Sequence, residues 1–290
     1  MGQCLNKLVA EIFYAALKAV DPYNAVKLYT GKIRDGYQDG HFQKLIVISF
    51  GKAACNMARA VEDELGYLFD TGILITKYGH TIEQQNNRAA EQQEILEKSH
   101  SLLKTTAPLS YCSTALKIFE AGHPLPDENG VRGTEEIIRL LEKADENTLV
   151  LCLISGGGSA LLVAPYEGIT LAEKQEMTQL LLKAGADINE LNTVRKHISK
   201  VKGGRLAEIA YPAKAISLIL SDVVGDSLDV IASGPTSPDT TTFHDALAVL
   251  EKYRLKDKAP QGILDVLNKG VKGGIPETPK ESDAVFSNVE

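Results

Sequence analysis

The run Ser155-Gly156-Gly157-Gly158-Ser159 directly follows Thr148–Ile154, a continuous apolar stretch with the composition of a buried strand. Consecutive glycines let backbone N–H groups turn toward an anion, and a helix starting there would add the positive end of its dipole. Phosphate binding is therefore the chemistry this run suits, with a tight turn as the plainer reading. It is not a P-loop, because no Gly-Lys-Ser/Thr follows at the required spacing. A GxGxxG frame begun at Gly156 meets Leu161 where the last glycine should stand, which weakens a dinucleotide reading. Lys52 follows Gly51 at the end of a second apolar run and opens a helical pattern, so its ammonium could reach a ligand phosphate as a mobile point charge. Asn192 to Arg205 is a basic island. In it Arg195 and Ser199 lie one helical turn apart, while Lys202 and Arg205 flank Gly203-Gly204, a pair suited to close backbone approach to a cofactor. The bland alternative for such a charge run is a solvated face. Asp222 and Asp226, on either side of Gly225, could converge on a hard divalent cation or take a proton from a hydroxyl; either one singly could instead cap a helix. His123, in Gly122-His-Pro-Leu-Pro126-Asp127, reads as a turn histidine making a structural hydrogen bond. The other histidines form no metal-ligand spacing and no Ser-His-Asp order, so Ser155 and Ser159 are expected as hydrogen-bond donors rather than nucleophiles.

These residues sit at the ends of predicted elements. Apolar runs at Leu45–Phe50, Thr71–Thr76, Thr148–Ile154 and Ala215–Leu220 predict strands buried on both faces. Helical periodicity covers Leu8–Val20, Ala25–Thr30, Lys52–Leu65, Gly130–Lys143, Leu171–Ala184 and Asn189–Ser199. The alternation predicts an α/β fold, a doubly wound, mostly parallel Rossmann-like sheet with helices on both faces and its ligands beyond the carboxyl ends of the strands. His80–Ser101, polar and poor in large apolar residues, is expected to be a surface insertion; a smaller compositional break covers Lys256–Lys280.

Length and charge bound the function. The 290 residues carry 31 Lys+Arg against 38 Asp+Glu, a net charge of −7 that argues against a nucleic-acid surface. Four cysteines without CxxC spacing suggest neither a zinc site nor a disulfide framework. The N-terminal sequence Met-Gly-Gln-Cys-Leu-Asn places Asn6 where myristoylation expects Ser or Thr, and Glu11 and Lys18 interrupt the first apolar stretch, so neither a lipid anchor nor a membrane span is expected. The expected compartment is the cytoplasm or an organelle matrix, and a homodimer is left open.

Taken in order, Gly51-Lys-Ala-Ala54, Glu120-Ala-Gly-His-Pro-Leu-Pro-Asp127, Leu153-Ile-Ser-Gly-Gly-Gly-Ser-Ala-Leu161, Asn192-Thr-Val-Arg-Lys-His-Ile-Ser199, Lys202-Gly-Gly-Arg205, Ser221-Asp-Val-Val-Gly-Asp226 and Ile231-Ala-Ser-Gly-Pro-Thr236 resemble the class II glycerate 2-kinase family, long labelled hydroxypyruvate reductase. The resemblance implies ATP-dependent phosphorylation of D-glycerate to 2-phosphoglycerate, with Mg2+, in an interdomain cleft. It implies phosphate on Ser155 to Ser159, with Lys202, Gly203 and Gly204 also serving the nucleotide. Lys52 and Arg195 would then hold substrate carboxylate or the transferring phosphoryl, and Asp222 or Asp226 would hold the metal or activate the hydroxyl. The expected organisation is an N-terminal α/β domain over 1–255, then over 256–290 a linker and the start of a C-terminal region that the family continues and that would form one wall of the cleft. An NAD(P)H-dependent hydroxypyruvate reductase and a non-catalytic nucleotide-binding fragment are the competing readings.

Overall fold

A computed structural model describes residues 2–81 and 116–290. Beyond its first two residues, the insertion expected at 80–101 lies outside the described residues. In chain order the helices and strands are α1 (Gly2–Ala19), α2 (Pro22–Lys27), α3 (Thr30–Asp39), β1 (Lys44–Phe50), α4 (Ala54–Leu65), β2 (Thr71–Lys77), β3 (Leu116–Ala121), α5 (Glu128–Leu141), β4 (Thr148–Ser155), α6 (Gly158–Leu161), α7 (Leu171–Ala184), α8 (Ile188–His197), α9 (Arg205–Ala210), β5 (Lys214–Leu220), α10 (Phe243–Lys252) and α11 (Gln261–Val271). Among the described residues the strands form one parallel sheet in the order β3-β2-β1-β4-β5. The expected doubly wound α/β sheet is thus observed.

The strand alternation sets the layers. Ile46, Ile48 and Phe50 of β1 stand beside Val150, Cys152 and Ile154 of β4 and pack with Ile137 and Leu141 of α5 and Leu206 of α9. Leu45 and Val47, with Leu149, Leu151 and Leu153, face the opposite layer, where they meet Val26 of α2, Ile33 of α3 and Met57, Val61 and Leu65 of α4. Each face is sealed by helices, which is why the strands read as unbroken apolar runs. Cys152, at the centre of β4, is 2% exposed, and burial pushes its thiol up to about 12.

A third cluster stands apart from the sheet. Met177 and Leu181 of α7, Leu191 and Val194 of α8, Phe243 and Leu250 of α10, and Ile263 and Leu267 of α11 bury one another. Capping boxes begin three of these helices: Thr170 with Glu173, Asp187 with Glu190, and Thr242 with Asp245. Glu173 also accepts the Gly262 N–H at 3.1 Å, joining α7 to the start of α11. Within 256–290, read from sequence as a linker and the start of a further region, α11 joins this cluster. Farther on, the Glu290 N–H donates to the Ala215 carbonyl at 2.9 Å and the Ser217 N–H to the Glu290 carbonyl at 2.8 Å, along the outer edge of β5. Among the described residues no helix is long and apolar enough to cross a membrane.

Candidate active site

Parallel strands place all their carboxyl ends on one edge. The strand order reverses between β1 and β4, so the Gly51-Lys52 turn and the Ser155–Ser159 loop meet at the topological switch point, the usual crevice of such sheets. Gly51 has φ +125°, and a Cβ there would stand 2.1 Å from Ser155 Oγ. The two turns are then locked together: the Lys52 N–H donates to the Gly156 carbonyl at 2.9 Å and the Ala53 N–H to Ser155 Oγ at 3.1 Å. Ser155 is therefore a buried strut of the crevice. The N–H groups of Gly156 and Gly157 have no acceptor among the described residues.

Each strand delivers a side chain to this loop. Lys52 follows β1 and His80 follows β2, its Nδ1 3.3 Å from the Lys52 carbonyl. His123 follows β3; its imidazole edge lies 3.0 Å from where a Gly157 Cβ would stand. Asp222 follows β5, with Oδ2 only 2.4 Å from a Cβ placed on Gly156, so any side chain at Gly156 would displace the carboxylate. Lys52 Nζ and Asp222 Oδ2 are 4.0 Å apart and largely exposed, a loose pair that a ligand can enter. His123 has no hydrogen-bond partner among the described residues. Partial burial, with the Lys52 charge behind it, lowers its pKa and favours the neutral, proton-accepting imidazole near pH 7.

The structure corrects several sequence expectations. The helix after the glycine loop, α6, is four residues long, so its dipole adds little and the loop's N–H groups carry the anion-binding potential. Ser159 was expected as a hydrogen-bond donor in the run that would hold phosphate. Its Oγ lies 3.0 Å from Ser233 Oγ, whose own proton goes to Asn192 Oδ1 at 2.9 Å, so the Ser159 proton is committed inward. Gly203 (φ +59°) and Gly204 (φ +83°) do need glycine, but for backbone-to-backbone approach: their N–H groups donate to the Ser233 and Gly234 carbonyls at 3.0 and 2.7 Å and are not offered to a cofactor. That contact holds Ala232, Ser233 and Gly234 at φ of 53°, 65° and 60°, a left-handed run costly for its two non-glycine members. His123, expected to make a structural hydrogen bond, points its ring at the loop and has no hydrogen-bond partner among the described residues.

Asp226 is exposed, at φ +49°, and its carboxylate makes no hydrogen bond or ion pair among the described residues. No group of three or more His, Cys, Asp or Glu suited to a metal occurs among them. Asp222 alone lies against the glycine loop. One carboxylate beside a phosphate site fits Mg2+, which takes most of its ligands from phosphate and water.

The basic island divides. Lys196, 3% exposed at its side chain, pairs with Asp239 at 3.2 Å and Asp229 at 3.4 Å. His197 lies between the Thr193 carbonyl (2.8 Å), Glu277 (3.2 Å) and the Phe243 ring. Arg205 donates to the Pro276 carbonyl at 3.0 Å and lies over Tyr166. Arg195 and Lys202 have no carboxylate within ion-pair range among the described residues, and Lys174 of α7, a residue the sequence did not single out, joins them in the same condition. Lys174 donates to the Ile198 carbonyl at 3.3 Å and Lys202 to the Ala232 carbonyl at 3.2 Å. Burial, then the charge of Arg195, brings Lys174 down to about 7. Burial, then Lys174 and Arg195, lowers Lys202, and burial lowers Arg195. The signal for Lys174 was a lysine in line with Met177 and Leu181 on the buried stripe of α7.

Residues 8–268 match the family described as a domain of unknown function, DUF4147. A glycerate 2-kinase of Pyrococcus horikoshii is 45% identical over 273 residues, covering 92% of this chain and 54% of the relative. A D-glycerate 2-kinase of Thermotoga maritima is 42% identical over 289 residues, 99% of this chain and 58% of the relative. The crystal structure of a Thermotoga maritima glycerate kinase superposes with a TM-score of 0.77 at 40% identity, over 99% of this chain and 58% of that one. The chain thus spans little more than half the length of these relatives. Because the family match runs through most of the chain and these relatives are more than 40% identical over nine tenths of it or more, the chain belongs to the DUF4147 family and is a relative of the glycerate 2-kinases.

Proposed function

We propose that this chain carries the phosphate-handling half of an ATP-dependent D-glycerate 2-kinase. The observation behind the reading is the pair of N–H groups at Gly156 and Gly157 that have no acceptor among the described residues, set at the switch point and faced by Lys52 and Asp222. Phosphoryl transfer depends mainly on positioning and on neutralising charge over the moving group. In this reading the Gly156–Gly158 backbone cradles the nucleotide phosphates and the Lys52 ammonium stabilises the transferring phosphoryl. Asp222 is the carboxylate that would hold Mg2+ against those phosphates; when bound, the metal neutralises charge on the phosphate oxygens. The 2-hydroxyl oxygen of D-glycerate forms the new bond to the γ-phosphorus, its proton passes to His123 Nε2, and the bond to the β,γ-bridging oxygen breaks to release ADP. With the activity come the small-molecule partners ATP and D-glycerate and a cytoplasmic or organelle-matrix setting.

The test is an ADP-release assay with ATP and D-glycerate. Lys52→Ala and Asp222→Asn should each lower kcat by about 10²-fold or more, the scale of losing a transition-state charge contact. Wild-type kcat in both variants would remove those residues from the chemistry. ATP-dependent thermal stabilisation without turnover would instead support a binding module.

A further inference from the structure

No backbone hydrogen bond holds His123 among the described residues, and its ring has no partner there, so the aim of the imidazole is set by what grips the chain on either side. Asp127 supplies the main grip. Its Oδ1 accepts the Gly130 N–H at 3.0 Å, the ordinary work of a helix cap at the start of α5. Its Oδ2 does something a cap does not need: it accepts the Tyr78 hydroxyl at 2.8 Å, from the turn after β2. The same carboxylate lies 3.2 Å from where a Cβ on Gly122, the residue before His123, would stand. The course of the Tyr78 proton is fixed from the other side. Arg132 donates to Asn129 Oδ1, so the Asn129 amide turns an N–H to the Tyr78 oxygen at 2.6 Å, and that oxygen passes its own proton to Asp127. Two further bonds draw the turns together: the Tyr78 N–H donates to the Ala121 carbonyl at 3.3 Å and the Gly79 N–H to Glu120 Oε1 at 2.9 Å. With His80 against the Lys52 carbonyl, one network spans the ends of β1, β2 and β3 around the glycine loop.

We propose that Tyr78 and Asp127 are positioning residues, which together hold the 122–126 turn so that the His123 imidazole faces Gly157, partly buried beside Lys52. Displacing a reacting group by about 1 Å is enough to cost much of its rate advantage, so the brace acts on the chemistry without touching substrate. Tyr78 is 47% exposed and the pair lies outside the apolar core, so the folded chain survives its removal. The brace stands whatever reaction the site performs. Its catalytic consequence rests on the kinase reading, in which His123 accepts the proton.

Tyr78→Phe removes the hydroxyl and no charge; Asp127→Ser keeps a helix cap but is too short to reach Tyr78. Imidazole NMR titration of the full chain, with His123 assigned by its disappearance in His123→Gln, reads the ring without turnover. Burial first, then the charges of Lys52, Lys77 and His80, hold the His123 pKa down against the opposing pull of Asp222. A ring released from that setting should therefore titrate higher, toward 6.5, in both variants. In the ADP-release assay each variant should lower kcat about tenfold, a part of what a general base contributes, with KM for ATP unchanged. Neither should lower kcat further in a His123→Gln background. An unchanged His123 titration in both variants overturns the proposal. Full kcat in a variant whose titration has moved, or an equal loss of kcat with His123 already replaced, overturns it as well. Should the wild-type chain release no ADP, the kinase reading fails and the titration still decides the brace.

Discussion

Lys196 and Lys202 are both buried lysines on one short segment, yet their surroundings are opposite. Lys196 is enclosed by Asp239, itself 1% exposed, and by Asp229. Burial alone would raise the Asp239 carboxyl, but the Lys196 ammonium and the Thr241 donors outweigh it and hold it below its usual range. Lys202 faces two more cations and a carbonyl. The contrast separates a lysine whose charge is balanced inside the fold from one that burial and neighbouring cations push toward its neutral form. Sequence alone could not separate them, since both belong to the same basic run.

Removing a counter-charge should break the comparison most severely. Asp239→Ala leaves Lys196 buried and half-paired and strands Thr241 and Thr278 donors, so it should lose about 3–5 kcal/mol of stability in denaturant titrations. Lys202→Met should move the other way, by up to about 1–4 kcal/mol, because it removes a buried amine whose charged form burial and two neighbouring cations disfavour, at nearly constant volume. A destabilisation like that of Asp239→Ala would make the two sites equivalent. The finest distinction is in pH. Lys174 titrates at about 7 when folded and near 10.5 when unfolded, so between those values the unfolded chain binds more protons and stability should rise with pH. Lys174→Met should flatten that rise in a melting-temperature series. Asp239 works in the acid window: its contribution is complete above 3.8 and is lost as pH falls through its depressed folded value, so Asp239→Asn should blunt the acid limb and leave the alkaline one alone.

The sheet's central strands were legible because both faces are covered and their residues are apolar without interruption. β3 was not: it is an edge strand whose Lys117 and Glu120 break the run, and its amphipathic pattern is too short to stand out. α10 and α11 bury their apolar faces against α7 and α8, a partnership between distant segments that periodicity in one window does not disclose. At the site, Lys52, Asp222 and the triple glycine were readable because each follows a strand or a glycine turn. The roles of Gly203, Gly204 and Ser159 were not, because their N–H and O–H partners come from 231–234, a loop whose left-handed backbone has no sequence signature at Ala232 and Ser233. For His123 the proline-flanked turn was readable, but not which way the ring points.

Cys152 offers a clock. A thiol held at about 12 in the middle of β4 is not a thiolate under any ordinary assay condition, so alkylating reagents act on it only after the central strand has left its neighbours. Mass-spectrometric timing of Cys152 modification would therefore report how often the sheet parts directly beneath the glycine loop, and whether an occupied crevice slows that parting.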